Sequence, residues 1–254
     1  FLISSKTYVL DVFGDKLSKD IASLKDETPY KDFFRDGFND NWIDFEITYK
    51  HKIISFPDAI FASEFSYVPI DQRKNMFSVI GVLYPERKEA IKILNLTDKV
   101  KLFFKNLTDF IVIKINLKST ISKIEKRRNS YQRKIQNSVF CFVSGSPLQY
   151  PVRKYFEVPS KGSVPIGWPC NGFGNLGFKD GVNFIVAKNN KTLSDKIAAY
   201  DEYEISQIAL NSQKLIYEKH SDYARISQFS ISLKLILENN FNGSYWEDGL
   251  YKHY

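Results

Sequence analysis

Apolar runs of strand length alternate with amphipathic runs of helix length over most of the chain. An apolar run over residues 76–83 is followed by Pro85 and a helical pattern over residues 86–94. Proline is favoured in the first turn of a helix, where a backbone N–H has no intrahelical acceptor. Residues 121–136 predict a charged helix, and the continuous apolar run over residues 138–143 predicts a buried strand.

The alternation continues through the C-terminal part of the chain. A loop over residues 144–151 leads to a short helix over residues 152–160, which Gly162 is expected to stop. The pattern also predicts strands over residues 99–104, 110–115, 163–168 and 183–187, a helix capped by Ser194, and helices over residues 204–220 and 224–238.

Strands that alternate with helices of this length predict an α/β fold with a parallel sheet covered on both faces. Such sheets bind ligands at the carboxyl ends of their strands, where helix N-termini favour phosphate. Residues 1–75 are less regular. They predict strands over residues 7–13, 42–48 and 59–62, with Asp- and Gly-containing turns between them.

The composition is that of an ordinary globular protein with a basic surface. The 254 residues are 43% hydrophobic and 26% charged, and their net charge is +7. A positive protein suits a phosphate-bearing partner, either a nucleotide-sugar or a nucleic acid. The basic run over residues 123–134 is either a solvated helix face or a phosphate-binding track.

Cysteine usage and hydropathy limit the remaining classes. Cys141 lies in an apolar run and is predicted to be a core residue. Neither Cys141 nor Cys170 has the neighbours of a zinc cluster or a disulfide framework. The chain has no apolar stretch of membrane-spanning length and no signal-peptide pattern, so no integral membrane segment is predicted and a cytoplasmic location is expected.

Residues 153–166, which read RKYFEVPSKGSVPI, carry the most informative motif. They are similar to the R-x-F-E-x-x-A-x-G-x-x-P-V signature of the glycosyl transferases group 1, and most resemble the branch of the spore-maturation glycosyltransferases. Exostosins and α-1,3-fucosyltransferases share a looser form of the signature. Other segments that resemble this family, in the same order, are residues 84–88, 138–146 and 176–185 and the tail to His220 and Arg225.

The resemblance covers about residues 76–240 and implies a GT-B architecture, in which two Rossmann-like domains face each other and a nucleotide-sugar donor binds between them. It implies a hexosyl- or pentosyltransferase that moves a sugar from a nucleotide diphosphate, such as UDP or GDP, to a hydroxyl of a glycan or glycoconjugate. No metal or other cofactor is expected. Residues 76–254 would form the Rossmann-like donor domain, and residues 1–75 a smaller acceptor-side domain that is reduced or incomplete.

Arg153, Lys154 and Glu157 are the main candidates for donor binding. An enzyme without a metal must use Arg, Lys and helix N-termini to offset the charge of the leaving diphosphate. Arg153 and Lys154 fall in the first turn of a predicted helix, where a diphosphate would lie; the alternative is a pair of solvated cations. Glu157 would accept hydrogen bonds from ribose or sugar hydroxyls; the alternative is an ion pair with Arg153 or Lys161.

Other candidates border the same edge of the predicted sheet. Arg87 and Lys88 follow another strand and are candidate phosphate contacts. Tyr155 and Phe156 are predicted to be core residues rather than base-stacking ones. The donor-binding candidates from loops, which would let the ligand approach the backbone or border the nucleotide, are Gly145, Ser146, Asp180 and Asn183.

An inverting enzyme would also need a base that takes the proton of the acceptor hydroxyl. Asp58 and Glu64 are the candidates, because they flank the strand predicted over residues 59–62. Asp40 and His51 are further possibilities. The alternative for each is a surface role, and a retaining enzyme would need no such base.

Two departures from the family pattern keep other functions open. Lys161 replaces the small residue before the glycine, and the amide- and glycine-rich residues 171–175 replace a second acidic position. The second departure and the short N-terminal part favour a non-catalytic nucleotide- or sugar-binding module as the alternative. A nucleic-acid-binding protein is less favoured and no nucleic-acid partner is expected, since the basic run lacks a recognisable motif and has few interleaved aromatics.

Overall fold

The computed structural model of the chain describes residues 9–11, 45, 47–81, 85–95, 121–145, 150–187 and 192–254. Its strands are β1 (Val9–Asp11), β2 (Ile53–Ser55), β3 (Asn75–Ser78), β4 (Ser138–Val143), β5 (Val164–Gly167), β6 (Ile185–Val186), β7 (Ser244–Glu247) and β8 (Leu250–His253). Its helices are α1 (Pro85–Asn95), α2 (Ile121–Gln136), α3 (Lys154–Ser160), α4 (Leu193–Ala198), α5 (Glu202–His220) and α6 (Asp222–Leu237).

Strands β3, β4, β5 and β6 form one parallel sheet in that order. Its register places Phe140 of β4 opposite Phe77 of β3 on one side and Val164 of β5 on the other. All six residues of β4 are buried, as expected for a strand with neighbours on both sides and helices on both faces. The predicted parallel α/β sheet is confirmed, and α2 and β4 have the predicted bounds.

Alternate residues of β4 contribute to two different cores. Phe140 and Phe142 pack with α1, α4 and the first half of α5. Cys141 and Val143 pack instead with α2 and α3 on the opposite face. This period of two is that of a strand between two helical layers. The core positions predicted for Cys141, Tyr155 and Phe156 are confirmed.

Two strands predicted in the N-terminal part are wrong. Phe45 and residues 47–49 are helical, and the rings of Phe45 and Tyr49 lie 5.1 Å apart across one helical turn. Ile60 forms a single bridge with Ser221, and the 3-10 helix Ala62–Glu64 follows it instead of a strand. The strands predicted over residues 99–104 and 110–115 lie outside the described residues.

The C-terminal elements contact residues 53–64. The backbone N–H of Ser55 in β2 donates to Ser244 Oγ in β7 at 2.8 Å. Arg225 Nη2 of α6 donates to the backbone oxygen of Asp58 at 3.1 Å. The predicted domain boundary near residue 75 stays a prediction, and these contacts fix the position of Asp58 relative to α6.

His220 closes α5 as a buried, neutral histidine. Its Nε2 donates to the backbone oxygen of Leu176 at 2.8 Å, and its Nδ1 accepts from Arg225 Nη2 at 3.1 Å. Burial, with the positive Arg225 nearby, lowers the pKa of His220 to about 3. The His220 ring stacks on Trp246 at 4.8 Å between centroids. This contact therefore belongs to the framework of the fold.

Candidate functional site

Two loops and the start of a helix meet at the carboxyl edge of the central sheet. Gly81 follows β3, Ser144 follows β4 and Lys154 begins α3. Gly81 has a φ of +103°, which residues with a Cβ rarely adopt. A Cβ placed on Gly81 would lie 2.6 Å from Lys154 Nζ and 3.4 Å from Arg87 Nη1. The missing side chain of Gly81 therefore lets two cations converge on one loop.

The ammonium group of Lys154 is buried without a hydrogen-bond acceptor among the described residues. The residue as a whole keeps some exposure, whereas its Nζ has essentially none. Burial and the neighbouring Arg87 guanidinium lower the pKa of Lys154 to about 7. An unpartnered buried cation is costly for the fold, and an anion that reached it would remove that cost.

Neighbouring polar groups complete a carboxyl-edge cluster, which consists of Glu86, Arg87, Ser144 and Lys154. Ser144 Oγ donates to Glu86 Oε1 at 3.0 Å, and Arg87 Nη2 approaches the backbone oxygen of Ser144 at 3.5 Å. Both side chains of α1 in the cluster are buried, and burial raises the pKa of the Glu86 carboxyl. The hydrogen bonds of the cluster thus join the end of β4 to α1, and the Lys154 ammonium of α3 lies beside them.

Glu157, one turn into α3, is held by a tyrosine of α2. Tyr131 Oη donates to Glu157 Oε2 at 3.0 Å. Burial raises the pKa of Glu157, while the Tyr131 hydrogen bond and the charges of Arg153 and Lys154 act against that rise. Neither Arg153 nor Lys161 forms an ion pair with Glu157 in the described structure, so the simple ion pair considered from the sequence is wrong. A buried carboxylate with a fixed orientation can accept hydrogen bonds from hydroxyl groups.

Glu64, one of the predicted bases, is a buried acceptor for two arginines. Arg153 Nη2 donates to Glu64 Oε1 and Oε2 at 2.9 and 3.0 Å, and Arg128 Nη2 donates to Oε1 at 3.1 Å. Arg153 Nη1 also donates to the backbone oxygen of Ala59 at 3.0 Å. Lys161 Nζ donates to the backbone oxygen of Glu64. This network ties the segment around Glu64 to α2 and α3.

Asp58, the other predicted base, is half-buried beside the same network. Burial raises the pKa of its carboxyl, and the positive charges of Arg153 and Arg225 oppose that rise. A carboxylate with a raised pKa accepts a proton more readily than an exposed one. The assignment of Asp58 as a base stays a prediction.

The remaining predicted donor contacts have different surroundings. Lys88 is exposed on α1, and Gly145 is buried next to the carboxyl-edge cluster. Asp180 Oδ1 accepts from the backbone N–H of Val186 at 2.8 Å. Asn183 Nδ2 donates to the backbone oxygen of Gly177 at 2.9 Å. Asp180 and Asn183 therefore stabilise the conformation of their own loop. Ser146 lies outside the described residues, and the assignment of all these residues to donor binding stays a prediction.

Three polar residues near the site were not predicted from the sequence. Tyr131 lies 26 positions before Glu157, so no local spacing connects them. Glu86 and Ser144 belong to segments that were singled out, but their hydrogen bond joins positions 58 apart. The Glu86–Ser144 pair follows from the sheet order, which brings the ends of β3 and β4 together. The Tyr131–Glu157 pair follows from the packing of α2 beside α3, and neither pair follows from a motif.

The described residues contain no group of three or more His, Cys, Asp or Glu side chains placed to hold a metal ion. None of the described helices has the length and hydropathy that crossing a bilayer requires.

Comparisons with known proteins show the fold. Neither a family model nor a curated protein matches the chain. The structure of HepE from Anabaena in complex with UDP-glucose matches with a TM-score of 0.52 and 10% identity, over 72% of this chain and 57% of HepE. HepE in complex with UDP and glucose gives a TM-score of 0.51, 10% identity and the same coverage. TarM gives 0.49 and 12% identity over 71% of this chain and 39% of TarM.

The chain thus spans between 39% and 57% of the length of these solved structures. With the parallel sheet, the HepE matches confirm the predicted fold class, a GT-B-like α/β architecture with a Rossmann-like sheet. The narrower resemblance to the spore-maturation branch and to exostosins and fucosyltransferases stays a prediction.

Proposed function

We propose that this chain binds the nucleotide-diphosphate sugar that serves as donor in a glycosyltransferase reaction. In that reaction a hexosyl or pentosyl group moves from the donor to a hydroxyl of a glycan or glycoconjugate. The observation that carries the proposal is the buried Lys154 ammonium, which lacks an acceptor in the described structure and lies beside Arg87 at the carboxyl edge of a Rossmann-like sheet. Parallel α/β sheets bind phosphate-containing ligands at this edge. HepE, which shares the fold, has been solved with UDP and with UDP-glucose.

Lys154 and Arg87 would neutralise the leaving group in the proposed reaction. The bond between the anomeric carbon and the diphosphate oxygen breaks, and its electron pair stays on the diphosphate. The acceptor oxygen forms the new bond to the anomeric carbon and loses its proton. Cations fixed in a water-poor site stabilise the growing diphosphate charge strongly, because they need no reorganisation. We propose that these cations do so without a metal ion.

Glu157 and Asp58 would supply the remaining contacts. Glu157, oriented by Tyr131, would accept hydrogen bonds from the ribose or sugar hydroxyls. Asp58 would take the acceptor proton if the reaction inverts the anomeric centre. We favour Asp58 over Glu64 as the base, because two arginines already share the Glu64 carboxylate. The phosphate contact predicted for Arg153 from the sequence is not part of this proposal, because the Arg153 guanidinium binds Glu64 in this structure.

Calorimetric titration with UDP, GDP and CMP tests the proposal directly. We expect saturable binding of a nucleoside diphosphate by the chain, and clearly weaker binding in Lys154→Met. Incubation with the matching nucleotide-sugars, with and without EDTA, then tests transfer or donor hydrolysis and its independence of metal. Binding to none of the three nucleotides, in protein shown to be folded, would remove the basis of the assignment.

A non-catalytic nucleotide- or sugar-binding module is the second candidate. It is supported by the ion-paired state of Glu64, a predicted base whose carboxylate two arginines already share. Such a module would bind UDP or GDP as above but would neither hydrolyse nor transfer the sugar of any nucleotide-sugar. Donor turnover that is lost in Asp58→Asn, with nucleotide binding unchanged, would eliminate this candidate.

A further inference from the structure

A polar groove lies at the amino edge of the central sheet, away from the carboxyl-edge cluster. It has a volume of about 470 Å³ and runs between the start of β3, the last two turns of α2 and the turn before β4. Three cations line it, namely Lys74, Arg133 and Lys134. Three asparagines and Ser130 supply the rest of the lining. We call this the amino-edge groove.

Among the residues that the structure describes, the charged side chains that line the amino-edge groove are all positive, and none is a carboxylate. Lys74 and Arg133 are exposed and form no ion pair with any described residue. Elsewhere in the described structure, Arg153 and Arg128 are neutralised by Glu64. A concave surface with cations of one sign raises the local concentration of anions.

The backbone that carries these cations is fixed by hydrogen bonds. The N–H of Asn75 donates to the backbone oxygen of Asn137 at 2.9 Å, and the N–H of Asn137 donates to that of Arg133 at 2.9 Å. Ser138 Oγ donates to the backbone oxygen of Lys134 at 2.7 Å. The end of α2 is therefore tied to β3 and β4, so the backbone positions that carry the cations are fixed before a ligand binds.

We propose that the amino-edge groove is a second ligand site, which binds the phosphate group of a small phosphorylated molecule. Arg, Lys, Asn and Ser side chains are the donors that phosphate oxygens accept from. The groove has the volume of a site for one small ligand. The described residues of its lining include no aromatic ring on which a base could stack, which disfavours single-stranded nucleic acid.

The two sites are too far apart to share one small ligand. Strand β4 separates the two edges with six residues, which span about 20 Å at about 3.3 Å per residue. Ligands at the two sites can therefore be followed independently. The second site would exist even if the proposed glycosyltransferase function were wrong.

Nuclear magnetic resonance of the full chain, titrated with ribose 5-phosphate or with inorganic phosphate, tests the proposal. We expect both probes to shift the backbone amides of residues 129–137 in a saturable manner, because the phosphate is the recognised group. Lys74→Gln combined with Arg133→Gln should weaken this binding about tenfold or more, since two charge-assisted contacts are lost. Lys92→Gln, which removes an exposed cation from α1, is the matched control and should leave ribose 5-phosphate binding unchanged.

Other outcomes overturn the proposal. Absence of shifts at residues 129–137, or shifts that persist unchanged in the double variant, would show that the groove is not a phosphate site. Single-stranded RNA that binds much more tightly than ribose 5-phosphate would show that the partner is a nucleic acid. The two sites are distinguished because Lys154→Met should weaken UDP binding without affecting ribose 5-phosphate binding at the groove. The double variant should weaken ribose 5-phosphate binding without affecting UDP binding.

Discussion

Each edge of the central sheet holds a buried cation, and the two cations differ in what surrounds them. At the amino edge, Arg73 is buried and uses Nε and both terminal nitrogens as donors. At the carboxyl edge, Lys154 Nζ is equally inaccessible, yet the described residues offer it no acceptor. The acceptors of Arg73 are the backbone oxygens of Val68, Ser138 and Lys161 and the Oγ of Ser163.

This difference separates a residue that stabilises the fold from one that is placed for a ligand. A guanidinium presents several donors in a fixed plane, so one Arg73 can join β4, β5 and the segment before β3. An ammonium without partners adds nothing to stability while it stays charged. We infer that Arg73 is required for the stability of the fold, whereas Lys154 is required for ligand binding.

Removing the amino-edge cation is expected to have the largest effect. Arg73→Ala leaves the oxygens of Ser138, Ser163 and Lys161 with fewer donors in a buried region, so we expect the free energy of unfolding to fall by about 3–5 kcal/mol. Urea unfolding measures this loss. Arg133→Ala, an exposed arginine of the same edge, is the control and should change stability by less than about 0.5 kcal/mol.

Arg73→Lys extends that test if the alanine variant does not fold. It keeps the charge but cannot reach all the acceptors of the guanidinium, so an intermediate loss is expected. Full stability in Arg73→Lys would mean that charge alone matters at this edge, and the contrast with Lys154 would lose its basis.

Removing the carboxyl-edge cation is expected to act on binding and not on stability. Lys154→Met replaces a buried unpaired ammonium by an apolar chain of similar length, so stability should stay equal or rise by about 1 kcal/mol. UDP affinity should fall about tenfold to a hundredfold, the worth of a charge-assisted hydrogen bond of about 1.5–3 kcal/mol. Lys92→Met, which removes an exposed cation from α1, is the matched control. A destabilised Lys154→Met with unchanged UDP affinity would reverse the roles that we assign.

The pH dependence of stability sharpens the same contrast. The pKa of Lys154 is about 7 in the folded chain, against an ordinary value of 10.5 that we take for the unfolded chain. Between these values the unfolded chain binds more protons, so stability rises with pH, by at most about 1.4 kcal/mol per pH unit. Below pH 7 the full cost of the buried charge is present. Urea unfolding of wild type and Lys154→Met at pH 7 and pH 9 isolates this contribution in their difference.

UDP binding should show the opposite trend with pH. A bound diphosphate favours the charged ammonium, so binding takes up a proton and weakens as pH rises above 7. Titrations in two buffers of different ionisation enthalpy measure that uptake. A stability difference that does not change with pH, together with binding without proton uptake, would show that the Lys154 ammonium is solvated and not buried.

The sheet could be predicted from the sequence, because its signals are local. The apolar runs of β4 and β5 and the proline before α1 each lie within a few residues of the element that they specify. Asp201 and Glu204 also form a capping box at the start of α5, a local signal that would have corrected its predicted start. Asp248 and Gly249 similarly predict the turn of the hairpin β7–β8, which the sequence analysis did not identify.

The candidate site was predictable only in part, because its contacts are not local. Lys154 and Glu157 were found through their motif, but their surroundings depend on distant residues. Glu64 accepts hydrogen bonds from the Arg153 guanidinium, and the two residues are 89 positions apart. Spacing along a helix can predict which residues share a face, but it cannot predict which tertiary partner a long cation takes.

Arg153→Gln is the prediction with the smallest expected effect. It tests whether the carboxyl edge uses a further cation, besides Lys154 and Arg87, to bind the diphosphate. The Arg153 side chain is 37% exposed and pairs with Glu64, which Arg128 also contacts, so we expect a stability loss of about 1 kcal/mol or less. Because its guanidinium is bound to Glu64, UDP affinity should change less than about threefold, or about 0.6 kcal/mol. Arg128→Gln, which contacts the same carboxylate, is the matched control for both measurements. If UDP affinity falls tenfold in Arg153→Gln but not in Arg128→Gln, then Arg153 leaves Glu64 to bind the diphosphate, and the carboxyl edge uses a third cation.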